Sequence, residues 1–313
     1  MLRPRIRSFI LIIALALSAT SLASADQSGV LTVGLMPAVN SIPLIVAQHD
    51  GLFQANGVTV KLVMFHNQLY RESGLQTHTI DGSISDMVNA IAAVANGFDV
   101  RVTSASEGDF ALLTSPHAAI QNIEQWKSYH GKITTGSLED SIVNYVSQRM
   151  LEKLSADPGK IDLIPVLSLP TRIQMLMDDK LQAACIPEPY ATMARKQGAH
   201  LIAETTILPS TPGVLLFTGK AIAEKPALIR AFYAAYDEAS ARVNANPGAY
   251  RAAIVAGADF PPQVTNDLVA PHFAEAVLPP PSVVEDVGRW MVAQGMIAKA
   301  PDYSAVVDGS LLH

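Results

Sequence analysis

The stretch LQAACIPEPYATMA, Leu181 to Ala194, holds the chain's only cysteine, Cys185, and an acid, Glu188, set between Pro187 and Pro189. A thiol near a carboxyl could serve as nucleophile and general acid. The same residues also suit a buried strand that ends in a restricted turn. A free cysteine packs as a small hydrophobe, and proline limits the backbone at and before its own position. A lone cysteine forms no intramolecular disulfide, so packing must stabilise the fold.

Other signatures of catalysis are missing. The chain has no G-x-S-x-G elbow, Ser-x-x-Lys pair, H-E-x-x-H pair or Cys-x-x-Cys zinc spacing, and neither a Walker A loop nor a G-x-G-x-x-G fingerprint. The eight histidines, at 49, 66, 78, 117, 130, 200, 272 and 313, never pair at ligand spacing. An enzyme is therefore not expected, nor a metal or cofactor.

What recurs instead is small or polar residues beyond a strand: Asn40-Ser41, Ser85-Asp86, Ser104, Gly136-Ser137, Glu188 and Ser210-Thr211. In an open α/β sheet, ligands sit beyond the carboxyl ends of the strands, beside helix N-termini. Short side chains there leave a cavity and expose backbone N–H groups, which suits a small polar or anionic ligand. Any one of these serines reads first as an N-cap; their recurrence after successive strands supports the ligand reading. Tyr70 and Tyr190 are placed to meet a ligand, whereas Trp126 and Trp290 read as packing residues.

The elements that carry these positions alternate. Strands are predicted over 29–36, 57–65, 99–106, 131–137 and 182–187, most of them apolar or alternating runs, with 131–137 leading to Ser137. A helix with Ser41 as its N-cap has Pro43 in its first turn and Gly51 after its end. The helix over 84–97 takes Ser85 as its N-cap. The long amphipathic helix after Gly136 takes Ser137 as cap, with Asp140 three residues on as a capping box. Beyond Gly219 the pattern turns wholly helical, and AVLPPPSVV (276–284) reads as a stiff loop between helices. Such alternation predicts βαβ construction with mostly parallel sheets flanked by helices.

Composition narrows the function classes. Arg3, Arg5 and Arg7, the nine-residue apolar run Phe9 to Leu17, and Ala23-Ser24-Ala25 have the layout of a secretory signal over residues 1–25. The apolar run is too short for a transmembrane helix, which needs about 20 residues. Without that segment, 19 Lys and Arg face 28 Asp and Glu, a net charge of −9. No basic run follows, so nucleic acid is not an expected partner.

Four segments in order, SIPLIVAQHDGLFQANGVTVKLV, IDGSISDMVNAIAAVANGFDVRVTSAS, NIEQWKSYHGKITTGS and LQAACIPEPYATMARKQGA, resemble periplasmic solute-binding proteins of ABC importers. The group they resemble includes nitrate-, sulfonate- and taurine-binding proteins and thiamine-precursor binders. The resemblance implies a two-lobed α/β fold of the type II periplasmic-binding class, with a solute closed in the cleft between lobes. Lobe one would comprise 29–110 and 209–313, and lobe two 111–208. It further implies a periplasmic monomer that hands a small molecule to permease subunits at the membrane. Carried over residue by residue, the ligand contacts would be Asn40, Ser41, Ser85, Asp86, Ser104, Gly136, Ser137 and Glu188, with Tyr190 and Thr211 beside them.

One departure bears on the solute. The implied cleft offers the acids Asp86 and Glu188 and no obvious Arg or Lys, which favours a neutral or N–H-rich solute over a bare oxyanion. The alternatives are an exported enzyme on the same scaffold, like those that make the thiamine pyrimidine, or a ligand-sensing partner of a membrane receptor. The enzymes carry a cysteine-rich segment, and Cys185 has no cysteine neighbour.

Overall fold

Strands form where aliphatic and β-branched residues run together, and most are followed by a helix whose first turn is held by a short polar side chain. The computed structural model describes residues 29–312 apart from Glu107; the export signal read over 1–25 lies outside the described residues. The chain begins β1 Val30–Leu35, α1 Ile42–His49, α2 Leu52–Ala55, β2 Thr59–Met64, α3 Gln68–Gln76, β3 Gly82–Asp86, α4 Met87–Ala95 and β4 Val100–Ala105. It continues β5 Phe110–Thr114, α5 Ile123–Ser128, β6 Ile133–Ser137, α6 Ile142–Lys153, β7 Ile161–Pro165, α7 Leu169–Met177, β8 Ala183–Pro187, α8 Tyr190–Lys196 and β9 His200–Glu204. After β10 Gly213–Thr218 come only helices: α9 Gly219–Glu224, α10 Pro226–Ala245, α11 Arg251–Gly257, α12 Pro281–Ala293 and α13 Tyr303–Val306. None is long and apolar enough to cross a membrane.

The strands make two five-stranded sheets that repeat one another, β2-β1-β3-β10-β4 and β7-β6-β8-β5-β9. In each, three strands pair in parallel and the fourth position runs antiparallel to both neighbours. Each sheet is thus mixed, with four strands pointing one way and one against them. The reversed strand is the one that has just arrived from the other sheet: β5 follows β4, and β10 follows β9. Every carboxyl strand end of β1, β2 and β3 therefore lies on one edge of its sheet, as do those of β6, β7 and β8.

Ser41 stands at the N-cap of α1 without a side-chain cap bond, and two other helix starts differ from the sequence reading. Ser85 does not cap α4, because it is still paired in β3 with Val214. Asp86 takes the cap instead, its Oδ1 accepting the Asn89 N–H at 3.0 Å. Likewise Ser137 remains in β6, paired with Pro165, so the long helix starts later and Ser141 caps it through the Asn144 N–H. Sheet pairing outcompetes the cap at both places, and the predicted box of Ser137 with Asp140 does not form. The proline loop is more than a spacer. Its Val277 carbonyl accepts from Ala105 N–H at 2.7 Å, and its N–H donates to Ser104 Oγ at 3.1 Å, covering the edge of β4.

The core of the first half gathers aromatic rings between α10 and its sheet. Phe232 stacks on Phe53 at 5.7 Å and meets Phe217 edge-on at 5.6 Å, arrangements that add to the burial of large rings. Beside the two crossings, side chains staple one to the other. The Thr205 hydroxyl accepts from Phe110 N–H at 2.9 Å and the Thr211 hydroxyl donates to the Gly108 carbonyl at 2.6 Å. Ser106 N–H donates to the Gly213 carbonyl at 2.9 Å. A Cβ on Gly213 would run into the Ser106 carbonyl, so glycine is required for the crossings to lie this close. Gly213→Ala should cost about 2 kcal/mol and lower the melting temperature by roughly 5 °C. Thermal unfolding followed by circular dichroism checks this, and an unchanged melting point would show that the crossings yield freely.

Candidate functional site

The strand ends of the two sheets face one another across a cavity of about 110 Å³, far more than one water needs and enough for a compact solute. From the first sheet come Met36, Pro37, Ala38 and Asn40 after β1, Ile84, Ser85 and Asp86 at the end of β3, and Arg71 from α3. The second sheet contributes Ser141, Ile142 and Val143 at the start of α6, Leu169 and Arg172 from α7, and Pro187 at the end of β8. Phe110, beside a crossing, also lines the cavity. At the mouth a backbone bridge joins Asn67 and Ser168, one residue from each half.

Those two residues are equivalent. Asn67 caps α3 by accepting the Leu69 N–H, and Ser168 caps α7 by accepting the Thr171 N–H. Four residues past each cap stands an arginine, Arg71 and Arg172, only 4% and 8% exposed. Side chains at this point of a helix lean back toward its N-terminus, which brings both guanidinium groups to the cavity wall. The expectation of a cleft without basic residues is overturned. The repeated spacing in NQLYR and SLPTR, a capping residue with arginine four on, was the signal that would have found them.

The two arginines are treated differently. Arg71 donates from Nε and Nη2 to Glu72 Oε1 at 3.0 and 2.6 Å and lies 3.9 Å from Asp86. Arg172 donates from Nη1 to the Cys185 carbonyl at 3.2 Å, and among the described residues no carboxylate lies within 4.0 Å of it. Its Nε finds no protein partner, and burial pulls its pKa down from the usual guanidinium value. Three buried side-chain atoms that line this cavity have no hydrogen-bond partner among the described residues: Asn40 Oδ1, Ser85 Oγ and Arg172 Nε. Buried polar groups are nearly always satisfied, so their convergence on one cavity marks it as a place built for something polar.

The remaining candidates hold the frame. Ser41 donates to the Met36 carbonyl at 2.8 Å, bracing the turn that presents Asn40. Ser104 is engaged with Val277. Gly136 lies under Arg172, where a Cβ would come within 3.1 Å of the arginine stem and strike Leu181. Ser137 Oγ meets Ser141 Oγ at 3.0 Å. Tyr190 donates to the Asp259 carbonyl at 3.4 Å and packs edge-on against Phe260. Thr211 staples the crossing. Structure thus places Asn40, Ser85 and Asp86 in the cavity wall, while the other seven candidates stand behind it or away from it. Asp86 is itself occupied, accepting from both the backbone N–H and the Nδ2 of Asn89. Groups of three or more His, Cys, Asp or Glu able to hold a metal do not occur among the described residues.

Glu188 is a cap. Its Oε2 accepts the Thr192 N–H at 3.0 Å and its Oε1 accepts the Thr192 hydroxyl at 3.1 Å. It stands one residue past β8 and before the N-cap Pro189, whereas Asp86 is the last residue of β3 and the N-cap of α4; both carboxyls accept an N–H from a helix start. Cys185, 1% exposed, has its thiol pushed up to about 12 by burial and stays protonated at neutral pH.

The sequence model of the NMT1-like family matches residues 24–256. No curated protein matches the chain in sequence. Among solved structures, the ligand-binding component of an ABC-type import system from Staphylococcus aureus, with zinc bound, superposes with a TM-score of 0.78 at 15% identity, covering 90% of this chain and 97% of that one. The alkanesulfonate-binding protein SsuA from Xanthomonas axonopodis pv. citri, bound to MOPS, gives 0.76 at 17% identity, covering 90% and 99%. The desulfurization enzyme DszB shares the fold at a TM-score of 0.64 and 12% identity, covering 90% and 97%. The chain therefore has the two-lobed α/β fold of periplasmic binding proteins.

Burial raises the Glu188 carboxyl above its ordinary value, opposed by its bonds to Thr192 and aided by the charge of Asp109. An acid whose folded-state pKa lies above the unfolded one loses stability to ionisation as pH rises from the unfolded value through the folded one. Glu188→Gln keeps an acceptor for Thr192 and removes that loss. The melting-temperature difference between variant and wild type should move in the variant's favour from about pH 4 to pH 8. A difference that stays constant across this range would show that ionisation of Glu188 carries no penalty.

Proposed function

The chain belongs to the NMT1-like family, and we propose that it is the solute-binding component of an ABC-type importer. In this reading residues 1–25 direct export to the periplasm, where the mature chain works as a monomer. A small solute enters between the lobes, 29–110 with 209–313 and 111–208, and is handed to permease subunits after the lobes close about their crossings.

The observation that carries the reading is Arg172. A buried guanidinium without an acid is unfavourable by itself, and it becomes favourable once an anion or strong acceptor arrives in the cavity. Asn40 and Ser85 face it from the other half with unmet hydrogen-bonding capacity. The solute is accordingly compact, with an anionic group for Arg172 and a hydrogen-bonding group at its far end. Asp86 does not oppose such a ligand, since Asn89 and the nearby Arg71 already engage it. This corrects the preference for a neutral solute, which rested on a cleft lacking arginine. The surroundings of Cys185 give no support to nucleophilic chemistry by that residue.

Thermal-shift measurements with alkanesulfonates, short carboxylates, nitrate and phosphate, each beside a neutral amide or alcohol of similar size, test the assignment. One anion should stabilise the protein, by about 2.7 kcal/mol at a hundredfold excess over Kd. Arg172→Met should weaken that binding by roughly tenfold to a hundredfold, while the solute-free variant melts no lower than wild type. Equal shifts from the neutral analogues, or turnover of the bound compound, would rule the assignment out.

A further inference from the structure

The two halves also grip each other away from the cavity. Helix α6 packs on β5 and β8 of the second sheet, while α12 packs on α4 of the first. Val307, just past α13, pairs with Val102 of β4 and ties this C-terminal region to the first sheet. Between α6 and α12 lies a set of directed contacts. Tyr145 Oη donates to Asp286 Oδ2 at 2.6 Å, and Arg149 Nη2 donates to Asp286 Oδ1 at 3.3 Å. Trp290 Nε1 donates to Gln148 Oε1 at 3.0 Å, and the Tyr145 and Trp290 rings meet edge-on at 5.3 Å. Tyr145 and Trp290 are only 7% and 4% exposed, and each owes that burial in part to the opposite half.

We infer that Tyr145, Gln148 and Arg149 on α6, with Asp286 and Trp290 on α12, form a latch that holds the two halves closed. None of the five lines the cavity, yet the latch and the cavity share one rigid element. The first turn of α6 supplies Ser141, Ile142 and Val143 to the cavity wall, and Tyr145 to Arg149 occupy the next turn or so. Opening the cleft by rotation about the crossings must either pull α6 from α12 or break α6 itself. Separation strands Asp286 without two of its donors and exposes two large rings. The latch therefore biases the closed state before any solute arrives, and it raises affinity by enlarging the binding-competent fraction.

The test needs no solute, so it stands apart from the importer reading. Spin labels at Gln76→Cys on α3 and Gln174→Cys on α7, both exposed positions, report the distance between the halves, while the buried native Cys185 stays unlabelled. Solute-free wild-type protein should show a dominant short distance. Asp286→Asn removes the charge that Tyr145 and Arg149 share, and Gln148→Ala removes the Trp290 partner. Each should lower the ratio of short to long distances by about threefold to tenfold. Either variant suffices if the other fails to fold. Distance distributions identical to wild type in a folded variant, or a wild-type protein already dominated by the long distance, would overturn the latch.

Discussion

Placing a guanidinium in a buried wall with no acid beside it is the constraint that organises this molecule. A buried cation without a counter-charge is tolerated only when the surrounding structure holds it firmly and some other energy offsets it. Around Arg172 the holding is visible. Gly136 leaves space for the stem, the Cys185 carbonyl accepts from Nη1, and the first turn of α7 is fixed by the Ser168 cap. The equivalent arginine in the other half shows what the ordinary solution looks like. Arg71 has a carboxylate on two of its nitrogens and a second one near by. One fold position, occupied by the same residue type, is neutralised in one half and left open in the other.

That comparison is possible because the two sheets are built alike. Each places a reversed strand in its fourth position, each has at or just past the end of its third strand an acid that accepts a helix-start N–H, and each follows an edge strand, β2 or β7, with a capped helix bearing arginine. The equivalence explains why the acid that first drew attention, Glu188, has no free oxygen for a solute. Asp86 and Glu188 satisfy the backbone N–H groups that a helix start leaves open. Their carboxyls both sit above the ordinary range because burial disfavours the charge. These acids belong to the scaffold, and the unmet polarity of the cavity comes from neutral Asn40 and Ser85 and cationic Arg172.

Much of the fold was legible as hydrophobic rhythm. The strands around Val33 and Ala184 are apolar runs between breaking residues and the one around Val60 alternates, and the buried strand ending at Pro187 with Cys185 inside it is legible from its residues alone. Helix starts were less legible, because a serine beyond a strand can be claimed by the sheet or by the helix. Ser85 and Ser137 went to the sheet, and the next suitable side chain, Asp86 or Ser141, took the cap. The arginines are hard to read from sequence for a related reason. Attention to strand ends finds residues at the N-cap, whereas a long side chain four positions later reaches back to the same wall. Glu188 could be placed at a strand end but not given a role, since its partner Thr192 becomes a neighbour only once α8 is formed.

The geometry at the mouth joins chemistry to closure. Asn67 and Ser168 each hold the N-terminus of the helix that carries an arginine, and their backbones bridge across the cleft. The two helices therefore meet at the ends from which their guanidinium groups project. In the proposed separation of the halves the bridge breaks and Arg172 regains water, so its desolvation belongs to the closed form. An anion in the cavity offsets that desolvation in the closed form and gains less in the open one. It follows that the group most expensive to bury works against closure in the empty protein, and a bound anion adds to the closed form that the proposed latch already favours.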